Sequence, residues 1–136
     1  MAHEKFPVEV LTPEGKVFDE EVEMVSTRTT IGSIGILAHH APLLAMLEPT
    51  ELRLYRSDSD VVSLAQAEGY VQVAGNRALL LVQEALPPDQ LNTQQIRDRL
   101  QEAERELDSA EGDSERQRLA ERDKRRWEKF LQIAES

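Results

Sequence analysis

The chain has no cysteine, which removes disulfides, thiolate zinc sites and cysteine nucleophiles together. Aromatic residues make up only 4% of its 136 positions, so a core has to come mainly from aliphatic side chains. Positive charge is in deficit: 16 Lys and Arg stand against 26 Asp and Glu, a formal net charge of −10. Such a chain is a poor match for a nucleic-acid backbone. Long apolar runs are also missing. Ala41 to Leu47, interrupted by Pro42, is the longest, against the roughly 20 apolar residues a membrane-spanning helix needs. Met1 to Lys5 is polar and is followed by Phe6-Pro7, with neither an apolar signal core nor an Arg-rich presequence. The expected address is therefore the cytoplasm.

Catalytic signatures are equally scarce. There is no Gly-x-x-x-x-Gly-Lys-Ser/Thr phosphate loop and no Gly-x-Ser-x-Gly elbow. Gly32-Ser33-Ile34-Gly35 has one residue too few for the latter. His39-His40 is the only histidine pair. On an extended segment its two rings point to opposite faces, and no third ligand accompanies them, so no metal is expected. Asp19, Glu20, Glu21 and Glu23 are expected to form a solvated acidic strand edge, which discourages edge-to-edge pairing. Nothing in the residues supports an enzyme acting alone.

What is present divides at Pro87-Pro88. A hydrophobic fraction of 40% is enough for a small core. Residues 1–88 carry 6 basic and 13 acidic side chains and five of the six glycines. Residues 89–136 carry 10 basic and 13 acidic, with one glycine and no proline. Tandem prolines remove two backbone donors and favour extended geometry before them, so a boundary between 1–88 and 89–136 is expected.

The first part alternates with period two: Val8/Val10, Val22/Met24, Leu52/Leu54 and Val71/Val73, each apolar pair set among polar neighbours. Ala78 to Val82 reads as buried on both faces. Turn residues at Pro13-Glu14-Gly15, Ser57 to Asp60 and Gly75-Asn76 separate the runs. Many short strands with frequent turns predict an antiparallel β-sandwich. The second part predicts two helices. Ile96, Leu100, Ala103, Leu107 and Ala110 form one stripe; Ala120, Trp127, Phe130, Leu131 and Ala134 form the other. Glu111-Gly112-Asp113 interrupts them, with Ser114 and Gln117 in capping-box form. The short break predicts an antiparallel hairpin, so the fold class is α+β in two parts. The seam is thin and alanine-rich, so the hairpin needs something to dock on. Arg116, Arg118, Arg122, Lys124, Arg125, Arg126 and Lys129 concentrate positive charge on α-helical sequence. This suits either a solvated face with pairs such as Glu121–Arg125 or a docking face for an acidic segment.

The run Gly32-Ser33-Ile34-Gly35-Ile36-Leu37-Ala38-His39-His40-Ala41-Pro42-Leu43-Leu44 closely resembles the signature of the ε subunit of bacterial F-type ATP synthases, Gly-x-(Ile/Leu)-Gly-(Ile/Val)-x-Pro-Gly-His-x-Pro-Leu-Leu. Phe6 to Pro13 with Gly15 to Phe18 resembles that family's first hairpin, and Glu68 to Val73 its Gly-Gly-(Phe/Ile)-x-x-Val strand. The likeness spans essentially the whole chain. Ala38-His39 departs from the usual Pro-Gly.

The resemblance implies a ten-stranded sandwich followed by a regulatory helical hairpin, in a non-catalytic rotor part of the synthase. The implied partners are the γ subunit and the membrane-embedded c-ring, with catalytic-head α/β subunits meeting an extended hairpin. The implied place is the cytoplasmic face of the plasma membrane, held there peripherally. Ser33, Ala38, His39, His40, Ala41 and Pro42 are implied to face the c-ring and γ. Arg122, Arg125 and Arg126 are implied to meet the acidic head segment. No cofactor is implied. Relatives that bind ATP in the hairpin carry Ile/Leu-Asp-x-x-Arg-Ala, whereas Asn92 and Gln95 stand at the Asp and Arg positions here. Losing the guanidinium removes a bidentate phosphate contact, so weak or absent ATP binding is expected, with Asn92 and Gln95 as helix cap and box partner. A free-standing adaptor, with sandwich and hairpin gripping different proteins, is the alternative.

Overall fold

The structure is a computed structural model that describes residues 3–136. The chain forms two compact units that meet in sequence between Pro87 and Pro88.

The first unit contains ten strands: β1 (Phe6–Thr12), β2 (Gly15–Val22), β3 (Met24–Thr29), β4 (Gly32–Leu37), β5 (Leu43–Leu47), β6 (Thr50–Tyr55), β7 (Val61–Gln66), β8 (Gly69–Ala74), β9 (Arg77–Val82) and β10 (Ala85–Leu86). They run β10-β7-β6-β3-β5-β8-β9-β1-β2, with β4 on β3. The β1–β9 pair is parallel and the others are antiparallel. Strand β3 forms the corner: Met24, Val25 and Ser26 pair with β6, while Thr29 pairs with Leu47 of β5. A strand shared in this way folds one ladder over into two layers with a core between them. Alternate residues fill that core as their period dictates. Phe6, Val8 and Val10 are buried, as are Leu52, Leu54, Val71 and Val73, so the β-sandwich is as expected.

Three local expectations change. Val22 and Met24 do not share a strand face, because the chain turns a corner at Glu23, whose backbone N–H donates to the Tyr55 carbonyl at 2.7 Å. Val22 and Val25 are the buried residues there, and Glu23 itself is 93% covered rather than part of a solvated edge. Strand β9 is not buried on both faces: Ala78, Leu80 and Val82 point inward while Leu81 is 47% exposed. One buried polar group anchors the core. The Gln66 side chain, fully covered, donates through Nε2 to the Glu48 carbonyl at 2.9 Å and accepts at Oε1 from the Thr27 hydroxyl at 2.7 Å. Both halves of its amide are thus satisfied.

Gly69 has a different reason to be small. A Cβ there would lie 2.0 Å from the Leu81 carbonyl oxygen, so β8 and β9 come together only over a bare backbone.

The second unit opens with a single 3-10 turn, Pro88–Gln90, followed by α1 (Thr93–Ser109) and α2 (Ser114–Glu135). Asn92 caps α1 as expected, its side chain accepting the Gln95 N–H at 3.0 Å. The cap of α2 is Asp113, not Ser114: its carboxylate accepts the Arg116 N–H at 3.2 Å, and Ser114 is already helical. A carboxylate one residue earlier fits the positive end of the helix better than a hydroxyl. The two stripes face each other. Ile96, Ala103 and Ala110 are buried from one side, Ala120, Trp127 and Phe130 from the other. Arg116 pairs with Glu106 near the connection and Arg97 with Glu135 near the free end, so ion pairs close the hairpin at both ends.

Candidate functional site

The residues expected to contact partners fall in three places. The first is strand β4 and the turn after it. Among the described residues β4 pairs only with β3, so its other edge carries no strand partner. Ser33 lies near the start of β4, opposite Arg28, whose Nη1 donates to Ser33 Oγ at 3.4 Å. Ala38, His39, His40, Ala41 and Pro42 follow its far end. From Ser33 to Leu37 the strand covers about 13 Å at roughly 3.3 Å per residue. Five of the six residues thus share the connection between β4 and β5, and Ser33 stands apart near the far end of the strand.

The histidines lie in a turn, not on an extended segment. His39 has φ 65 and takes the left-handed conformation that Pro-Gly would have supplied. Its imidazole Nε2 faces the Glu4 carboxylate. His40 instead turns Nδ1 toward the Ala41 carbonyl at 2.7 Å. The two rings therefore serve different local contacts. Among the described residues no three His, Asp or Glu side chains gather as a metal site.

At the other end of β4, the tip of the β3–β4 hairpin holds Ile31 out in solvent, 95% exposed. The Thr29 hydroxyl fixes that turn, accepting from the Ile31 N–H at 3.2 Å and donating to the Gly32 carbonyl at 3.0 Å. Gly32 closes it with φ 135, a backbone state that side chains avoid.

The second place was not expected. Leu44 and Met46 on β5, Tyr70 on β8 and Leu81 on β9 are 73%, 54%, 51% and 47% exposed. Register puts Met46 opposite Tyr70 and Tyr70 opposite Leu81, so three of them form one row across three adjacent strands. Thr30 of the hairpin tip donates to the Met46 carbonyl at 3.0 Å, which brings Ile31 to the end of that row. Scattered exposed hydrophobics are ordinary; a continuous band of large ones marks a contact surface. The signal in the sequence was that β5 and β9 carry leucines on both alternating faces, when one face suffices for a half-buried strand.

The third place is the hairpin, where the expected basic face is divided. Arg122 and Arg126 line a groove between α1 and α2, together with Arg99 and Arg116. Arg122 donates from Nε and Nη2 to Asp123 Oδ1 at 3.3 and 3.1 Å. The Arg126 and Arg99 guanidinium groups lie over the Trp127 ring, 5.7 and 5.2 Å from its centroid. Arg125 is exposed, outside the groove. At the start of α1 the Asn92 carbonyl oxygen is engaged in capping.

Charge elsewhere is local. Arg56 grips Glu20 by two parallel hydrogen bonds of 2.8 and 2.7 Å, and this holds the Glu20 carboxyl below its ordinary value. Asp19, hydrogen-bonded at 2.9 Å, raises the Lys16 ammonium.

Residues 5–88 match the family model described as ATP synthase, Delta/Epsilon chain, beta-sandwich domain. The chain is 35% identical over 130 residues to an ATP synthase epsilon chain of Persephonella marina, covering 95% of this chain and 96% of that one. To the ATP synthase epsilon chain of Halalkalibacterium halodurans it is 34% identical, over 93% and 95% of the two chains. In fold it resembles a chain from a Euglena gracilis mitochondrial ATP synthase OSCP/F1/c-ring structure, with TM-score 0.79 and 19% identity, covering all of this chain and 84% of the other. A chain from the central stalk and c-ring of the Tetrahymena thermophila mitochondrial enzyme gives TM-score 0.55 at 18% identity, over 66% and 72%.

Proposed function

This chain belongs to the ATP synthase delta/epsilon family, as an epsilon chain, and we propose that it works as a non-catalytic rotor part of an F-type synthase, passing c-ring rotation through γ to the catalytic head. The observation that carries this reading is the row Met46–Tyr70–Leu81 with Leu44 beside it. A sheet that leaves that much apolar surface in water is made to be covered, and a sandwich stiff enough to hold its registers can transmit torque. We assign the row to γ and the open edge of β4, with Ser33, Ala38, His39, His40, Ala41 and Pro42, to the polar loops of the c-ring.

The hairpin is the regulatory part in this reading. Its helices leave their folded state and carry Arg122, Arg125 and Arg126 to an acidic segment of the α/β head, impeding hydrolysis. Two states of similar free energy suit a seam in which half of the buried positions named above are alanines and the closing ion pairs are exposed. Asn92, occupied as a cap, leaves the position of the ATP-binding motif without its acid, and Gln95 leaves it without its guanidinium, so the isolated chain binds ATP weakly or not at all. No described helix is long and apolar enough to cross a membrane; association with the membrane, at its cytoplasmic face, runs through γ and the ring.

Co-purification tests the assembly. The full chain is expected to bring down γ and the c-ring, and the double variant Met46→Asp, Tyr70→Asp to lose γ while its circular dichroism stays unchanged. Retention of γ by the variant removes the assignment of the row. Ending the chain after Pro88 is expected to preserve assembly and raise hydrolysis; unchanged hydrolysis removes the regulatory part.

A further inference from the structure

Of the three methionines in the chain, Met1 lies outside the described residues, and the other two differ in their access to water. Met46 on β5 is 54% exposed. Met24 on β3 is half-buried, with its sulfur beside Gly35 of the neighbouring strand. Register sets Met46 opposite Tyr70 in the row that continues to Leu81, and Leu44 stands two positions earlier on the same strand. The Met46 carbonyl accepts the Thr30 N–H at 3.0 Å, which ties the hairpin tip carrying Ile31 to this residue. Met46 therefore has exposed apolar neighbours along its own strand, on the next strand and at the tip. Leucine fills the other large apolar positions of β5, at Leu43, Leu44 and Leu47, so the row does not need sulfur to be apolar. What the sulfur adds is reactivity.

We propose that Met46 is a modification site: hydrogen peroxide converts its thioether to the sulfoxide in the free chain, and the sulfoxide bars the row from γ until it is reduced. The proposal rests on the assignment of the row to γ and adds how that docking is switched. In the step, one peroxide oxygen passes to sulfur. An S–O bond forms as the O–O bond breaks, sulfur gives up two electrons, and the other oxygen leaves as water with both protons. The product puts a polar group where the contact excludes water. Leu44, Leu81 and Ile31 offer no donor to the new oxygen, and the Tyr70 hydroxyl is the only side-chain donor in the row. A polar oxygen buried without a partner opposes the contact, so binding to γ is expected to weaken roughly five- to hundredfold. Once γ covers the row the sulfur is out of reach, so the switch acts on the unassembled chain.

The experiment treats the full-length chain with hydrogen peroxide to partial conversion and passes it over immobilised γ. Peptide mapping by mass spectrometry then reads the sulfoxide at each methionine in the retained and unretained fractions. Met46 is expected to oxidise before Met24, and its sulfoxide to gather in the unretained fraction. Methionine sulfoxide reductases for both epimers, supplied with a dithiol, are expected to return that fraction to γ. Met46→Leu is compared only with itself before and after peroxide and is expected to lose nothing on treatment; Met24→Leu is expected to lose as much as the parent. An even division of the Met46 sulfoxide between the two fractions overturns the proposal, as does a loss in Met46→Leu equal to that of the parent. Untreated parent that γ does not retain removes the assignment of the row and the proposal with it. Retained parent whose oxidation at Met46 leaves retention unchanged removes the proposal alone.

Discussion

The His39 backbone N–H donates to Asn76 Oδ1 at 2.7 Å, and both residues hold left-handed backbone conformations, φ 65 and φ 59. Two turns 37 residues apart are thereby tied to each other. Asn tolerates this region and His is enriched there, which is how the chain dispenses with the glycine of the related signature.

Replacing His39 by Val puts a β-branched side chain at positive φ. The expected cost is about 1–2 kcal/mol, read as an earlier urea midpoint of the full chain. His39→Gly keeps the backbone donor and should stay close to the parent. Equal losses in both variants would place the effect in the imidazole contact to Glu4 instead.

Gly69→Ala forces a methyl within 2.0 Å of the Leu81 carbonyl oxygen and 2.7 Å of Val82 Cα. Backbone atoms have nowhere to go, so β8 and β9 must shift, at a cost of about 1–3 kcal/mol. Gly35→Ala meets only Met24 Sδ at 3.7 Å and is expected to be close to neutral. Chemical denaturation of the two variants side by side checks the contrast.

The Arg56 contact lowers the Glu20 carboxyl from its ordinary 4.5. With a depressed value in the folded state, the unfolded chain binds more protons just below that pH. The contribution is therefore complete above 4.5 and is lost as the pH falls through the folded-state value. Glu20→Gln should lower stability at neutral pH and meet the parent curve in acid. Parallel curves at all pH values would remove the pair as the cause.

Asn92→Ala removes the acceptor for the Gln95 N–H and is expected to cost about 1 kcal/mol of helix stability. Thermal melts followed at 222 nm should show the loss, and Asn92→Asp should retain most of the cap. Asp113→Ala is the matching test at α2.

Where a strand's apolar residues alternate with polar ones, as at Val8/Val10, Leu52/Leu54 and Val71/Val73, period two was enough to say which side faces the core. It was not enough at β9, where leucines stand on both faces. Periodicity says which residues share a face and is silent on whether anything covers it, so Leu81 reads like Leu80 until the sheet order is known. Glu23 misleads for another reason: a corner between two strands breaks the alternation, and nothing local marks a corner whose backbone bond is made to Tyr55, 32 residues later. The site was legible in the same measure. The signature run from Gly32 to Leu44 was visible, but only the structure shows that Ser33 lies on a strand with an open edge while Ala38 to Pro42 lie in the connection beyond it, and that the arginines after Ala120 split between a groove and an outer surface.

The order of residues alone thus determined the two-part build, the strands, the facing helical stripes and the cap at Asn92, because each depends on neighbours within a few positions. The tertiary structure decided what lies uncovered: the open edge of β4, the Met46–Tyr70–Leu81 row and the charge-filled groove beside Trp127. Exposure depends on which distant segments come to lie against a residue, and that is settled only when the whole core closes.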